Sequence, residues 1–150
     1  MKFLTVQNKQ RAFKISSKMI QEATHCIMEV LLKHKTYHLS IVLVNEKRMA
    51  EINLEHLNHD GATDVITFDY SEDNLPNSEI ILCPAVAHEH AKHHNVSLGH
   101  ELARYIIHGI LHTRGYNDIT KKDRSVMKRK EWRTLNKLTE LVHVDDISYG

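Results

Sequence analysis

The chain has 150 residues, with 20 lysines and arginines against 19 acidic residues and a formal net charge of +1. That length suits one domain, 1–150, with its own core, and the charge balance excludes the global basic field that announces many nucleic-acid binders. Hydrophobic residues at 41% and charged residues at 26% are ordinary for a globular protein, and no apolar run approaches the roughly 18 residues of a membrane helix.

Met1 to Asn8 holds no apolar core followed by a small-residue cleavage site, so no secretory leader is expected. Cys26 and Cys83 sit in apolar runs and read as buried free thiols in a reducing cytoplasm. Lys2 to Gln7 is expected as an opening strand. Ser16-Ser17 then caps a helical pattern in which Met19, Ile20, Ala23, Cys26, Ile27, Val30 and Leu31 recur at helix spacing. His38 to Val44 is short and β-branched, which predicts a strand, and Asn45 caps a second helix with Met49, Ile52 and Leu57 on its apolar side.

Thr63 to Tyr70 and Glu79 to Cys83 read as two more strands, joined by the turn-forming residues of Ser71 to Ser78. Pro84 opens a third helix that runs to about His94. Ser97 caps the most apolar helix, which stops at Gly115. Thr120 with Asp123 resembles a capping box at the head of a last helix reaching about Leu141. Strands that cluster between helices predict an α+β fold, a small mixed sheet packed against about five α-helices.

Histidine stands out, with 13 in the chain and three pairs spaced i, i+4: His34/His38, His90/His94 and His108/His112. Chance alone gives about one such pair, so spacing is weak by itself. His34 and His38 straddle a helix end and a strand, while His88, His90, His93 and His94 spread around a polar helix and read as solvated surface. The third pair has a sharper context, His108-Gly-Ile-Leu-His112-Thr-Arg-Gly115-Tyr-Asn-Asp118. Residues four apart share a helical face, and a glycine end-cap lets the chain fold back so that Asp118 reaches the same point. Two histidines and a carboxylate suit a zinc ion with one position left open for chemistry. The bland alternative is a pair of satisfied, half-buried histidines.

The ligand spacing and glycine also match the metzincin peptidase pattern, but Gly109 stands where those enzymes carry their catalytic glutamate. Peptide hydrolysis needs that base to take up and pass on a proton. A peptidase is therefore disfavoured.

His108-Gly109-x-Leu111-His112-x-x-Gly115-Tyr116 resembles the signature of the YbeY family, metal-dependent endoribonucleases and rRNA maturation factors of bacteria. Thr63-Asp64-Val65-Ile66-Thr67-Phe68 resembles its T-D-V-L-S-F strand; Glu79-Ile80, Glu101 and Met127 also fall in order and spacing, so the likeness runs over roughly Asn53 to Met127. The resemblance implies an α+β fold, a zinc-like ion on His108, His112 and Asp118, single-strand RNA cleavage, and work on the ribosomal RNA of the small ribosomal subunit. It also exposes two departures. The family's third ligand is usually histidine after aspartate, where this chain has Asn117-Asp118. Its usual arginine, three residues before the aspartate of a K-D pair, falls on Leu57, with His59-Asp60 as the pair.

The catalytic candidates are Glu101, Asp64 and Arg114. Glu101, two turns before His108, either orients an imidazole or is an ordinary surface carboxylate. Asp64 either faces a cleft or caps a turn. Arg114, or else Arg104, would stand in for the missing arginine, and Thr67 reads as a strand former rather than an RNA contact. The run Lys121, Lys122, Arg124, Lys128, Arg129, Lys130 and Arg133 is either a solvated helix face or a local phosphate-binding one. A non-catalytic ribosome-assembly factor stabilised by its metal is the rival reading.

Overall fold

The computed structural model describes residues 2–57, 61–73 and 75–150. The two β-branched, apolar runs become the middle of the sheet, because only strands covered on both faces can bury every second residue twice over. These are β2 (Tyr37–Leu43) and β4 (Asn77–Leu82), flanked by β1 (Lys2–Asn8) and β3 (Val65–Asp69) in the order β1-β2-β4-β3. β1, β2 and β4 run parallel, and β3 closes the other edge antiparallel to β4. The fold is α+β, with a mixed sheet and five α-helices among the described residues.

Period-two alternation divides the core. Leu39, Ile41 and Leu43 of β2, with Ile80 and Leu82 of β4, face a large cluster completed by α1 (Ser17–His25), α4 (Leu98–Thr113) and α5 (Lys121–Leu141). Val42 and Ile81 point the other way, onto Met49 and Ile52 of α2 (Glu46–Leu57). Helix α3 (Pro84–His94) begins with its proline in the first turn, where the missing N–H costs nothing. The expected caps form: Ser16 accepts from the Met19 N–H, Asn45 from Arg48, and Ser97 from His100, while Thr120 and Asp123 make a reciprocal box.

The first helical pattern keeps its extent but changes its winding. Cys26–Leu31 is a π-helix that ends with Lys33 in the left-handed region. The chain also continues past Leu141 into a short 3₁₀ turn, Val144–Ile147, whose two apolar residues are buried against the large cluster. Cys83 is buried and Cys26 only half-buried, both as free thiols.

Gly109 sets how closely α4 lies on the sheet. A Cβ at this position would sit 2.8 Å from Thr67 Oγ1 and 2.9 Å from Ile80 Cδ1. An alanine in a helix normally gains about 0.5–1 kcal/mol over glycine, but overpacking here costs about 1–3 kcal/mol. Gly109→Ala is therefore expected to lower the urea unfolding midpoint, a net loss of about 1 kcal/mol. A midpoint that rises would show that α4 can lift off the sheet freely.

Candidate metal centre

Helix α4 is held at its N-terminus by Ser97 and buried along most of its length, so its last turn is a rigid platform. His108 and His112 project from that turn with their Nε2 atoms 3.2 Å apart. The helix ends as its pattern predicts. Gly115, at φ +92°, takes the left-handed conformation, and the Tyr116 N–H returns to the Leu111 carbonyl at 3.2 Å. Tyr116 packs against the core and anchors the turn. The chain then carries Asp118 back to the histidines, so that one donor atom from each of the three lies within 4.8 Å of the others.

The donor set fits a metal ion. Facing ring nitrogens cannot both carry protons comfortably, and two nitrogens bound tetrahedrally at about 2.0–2.1 Å to one ion stand roughly 3.3 Å apart. Burial, and next the neighbouring His108, push the His112 imidazole below its ordinary pKa, although Asp118 and Glu131 pull the other way. A neutral imidazole is the form that offers a lone pair.

A carboxylate from another helix lies beside this pair. Glu131 of α5 is buried, and its carboxylate lies 3.2 Å from Arg104 Nη1 and 3.7 Å from His108 Nδ1. Arg104 also pairs through Nε with Glu101, which in turn meets His94 Nδ1 at 2.8 Å. A line of polar contacts thus runs His94–Glu101–Arg104–Glu131–His108 across α3, α4 and α5. Glu131 was missed in the sequence because it sits inside the basic run. Its signal was register: an acid on the stripe of Met127, Thr134, Leu135 and Leu138, all buried.

Glu101 is 1% exposed, so of its two alternatives the surface carboxylate falls away; the imidazole it meets is that of His94, on another helix from the two converging histidines. Asp64 accepts from the Val65 N–H at 2.8 Å, as a residue capping the strand entrance does, and its other oxygen lies 3.4 Å from His90 Nδ1. The same His90 nitrogen bonds Tyr105 Oη at 2.6 Å. The α3 histidines are accordingly not all simple surface: His90 and His94 are hydrogen-bonded, and His88 packs on Phe13. Arg114 turns away to His34, beside a groove that includes Ser71 and Pro76, and is not grouped with His108, His112 and Asp118. Thr67 faces Gly109. His59 and Asp60, the K-D position, lie outside the described residues, as does the side chain of Leu57.

Comparison with known proteins carries the likeness well beyond the residues between Asn53 and Met127. A family model described as endoribonuclease YbeY matches residues 5–139. Among curated relatives, the endoribonuclease YbeY of Azobacteroides pseudotrichonymphae is 34% identical over 117 residues, covering 77% of this chain and 84% of its own. That of Flavobacterium johnsoniae is 38% identical over 93 residues, 62% of this chain and 67% of its own. The solution structure of the Thermotoga maritima protein TM1509 superposes with a TM-score of 0.67 at 26% identity, covering 91% of this chain and 89% of that one.

Proposed function

This chain belongs to the endoribonuclease YbeY family, and from that premise we propose that it is a zinc-dependent single-strand endoribonuclease that matures the ribosomal RNA of the small ribosomal subunit in the cytoplasm. The observation that carries the reading is the convergence of His108, His112 and Asp118 at the end of a rigid, buried helix. A divalent ion held there supplies Lewis acidity, drawing charge from a phosphoryl oxygen and making water acidic enough to give hydroxide near neutral pH. The protein's own part is positioning. Glu131 steadies the His108 ring, the α4 platform fixes the spacing of both imidazoles, and the Gly115 turn delivers Asp118. Asp118 is exposed, so the centre opens toward solvent and a large substrate can reach it.

The peptidase alternative weakens further at Gly109. The approach of β3 and β4 leaves no room for even a Cβ without a shift, so no glutamate base fits there. The family assignment likewise disfavours an assembly factor without chemistry. No helix among the described residues is long and apolar enough to cross a membrane.

The direct test uses precursor small-subunit rRNA within immature particles. Zinc-loaded protein is expected to cut it, a chelator to stop the cutting, and zinc to restore it. Absence of cuts from folded, metal-loaded protein would overturn the nuclease reading. Cutting that continues after complete chelation would overturn its metal dependence.

A further inference from the structure

We propose that the exposed stripe of α5 beside the metal centre is a track for single-stranded RNA, with Trp132 stacking a base and Lys128 and Arg129 holding phosphates. The proposal rests on the endoribonuclease reading for its substrate and deepens it by naming where the strand runs. Two depressions adjoin here. One includes His108, Asp118, Arg124 and Lys128; the other includes Lys128, Arg129, Trp132 and Leu135, and both share Arg104 and Glu131. A continuous groove therefore leads from the metal centre to the indole.

Three features suit this groove to an unpaired nucleic-acid strand. Trp132 is 66% exposed, though an indole is among the side chains that gain most from burial. Its flat face is available for the sequence-tolerant stacking that single-stranded nucleic acid uses. Lys128 and Arg129 are exposed and, among the described residues, make no side-chain hydrogen bond or ion pair. Arg104 is different. Glu101 and Glu131 already balance its charge, so it is a poor stand-in for an arginine that would clamp phosphate.

The charge in the groove follows from the same pairing. Of its two lining carboxylates, Asp118 belongs to the metal centre and Glu131 is buried and paired with Arg104, which leaves the cations on α5 to set the sign along the stretch that leads to Trp132. Lys128 and Trp132 are four residues apart and share a helical face, so a phosphate on one and a base on the other are neighbouring contacts. A duplex would not serve, because its base faces are already stacked. The basic run on α5 is thus not only a solvated face.

Trp132 is the single tryptophan of the chain, so its intrinsic fluorescence reports this position alone. Short oligoadenylate added to the metal-loaded protein, read on mixing and before turnover, is expected to quench that emission; a duplex of equal length is not. By anisotropy of a labelled oligoadenylate, Trp132→Ala is expected to weaken binding about five- to hundred-fold and Trp132→Phe much less. Lys128→Ala is expected to reduce the slope of log affinity against log salt by about one. Circular dichroism checks that these surface variants keep their fold. Labelled RNA that binds with no change in Trp132 emission and no loss in Trp132→Ala would overturn the track while leaving the nuclease reading intact. Equal quenching by duplex, or no oligoadenylate binding at all, would overturn it as well, the latter pointing to a protein partner on this face. Quenching without any rRNA cleavage would support the track and count against the nuclease reading instead.

Discussion

Glu101→Ala is expected to lower unfolding free energy by about 3 kcal/mol, the low end of the cost of breaking a buried ion pair. Glu101 is 1% exposed and holds both Arg104 and His94. Truncation leaves Arg104 with only Glu131, but the guanidinium is 31% exposed and water relieves part of the loss. In a chain of this size, that change corresponds to a melting temperature lower by roughly 6–12 °C. The same carboxylate should shape the acid limb of stability. Burial on its own would raise its pKa, yet the hydrogen bonds from Arg104 and His94, together with their charges, outweigh burial and hold it below the ordinary value. A carboxylate depressed on folding contributes stability that is complete above the unfolded pKa of about 4.3. The contribution is lost as pH falls through the folded pKa. Glu101→Gln removes that titration, so urea unfolding followed from neutral pH downward should show a flatter acid limb than the wild type. An unchanged limb and an unchanged midpoint would mean that this line of contacts contributes nothing to folding.

Local chemistry made most of the fold readable. Ser97 and Thr120 have the hydroxyl that an N-cap needs, Gly115 has the freedom that an end-cap needs, and β2 and β4 have the β-branched density of covered strands. The turn at Gly115 also made the site readable, because a helix end followed by a carboxylate three residues on can reach only a small volume. What stayed hidden depends on tertiary contact. The π winding of Cys26–Leu31 leaves the apolar pattern of Met19 to Leu31 intact while moving the hydrogen bonds, with the Leu32 N–H returning to Ile27. Periodicity cannot register such a change.

Ionisable groups were the hardest to place, for a related reason. Sequence distance ranks Glu101 as the partner of His108 because both lie on one helix, but a charge is satisfied by whatever packs against it. Helix α5 crosses α4 and brings in Glu131, and Arg104 then stands between the two acids. The expected link between Glu101 and an imidazole exists through His94, on a different helix. Gly109 shows the converse case. Its absence of a side chain was read as a missing base, and the structure gives the physical reason, a sheet that comes too near for any side chain without a shift.

His112→Ala is expected to remove most bound metal and to reduce RNA cleavage by more than about 100-fold. Loss of a residue that merely orients a ligand commonly costs about 10–100-fold in affinity or activity, and loss of the ligand itself should exceed that. The two donors that remain are His108 and Asp118, of which Asp118 is exposed and held by a single turn. The fold should survive, because the apolar work at this end of α4 is done by Ile110 and Leu111 while His112 is only half-buried. Metal content of the purified variant, measured beside circular dichroism, separates loss of the ion from loss of structure. His93→Ala is a fitting control, an exposed α3 imidazole outside the converging group, and should retain both metal and cleavage. A His112→Ala protein that keeps full metal and full activity would place the centre elsewhere, and the closeness of the two imidazoles on α4 would then be ordinary helix packing.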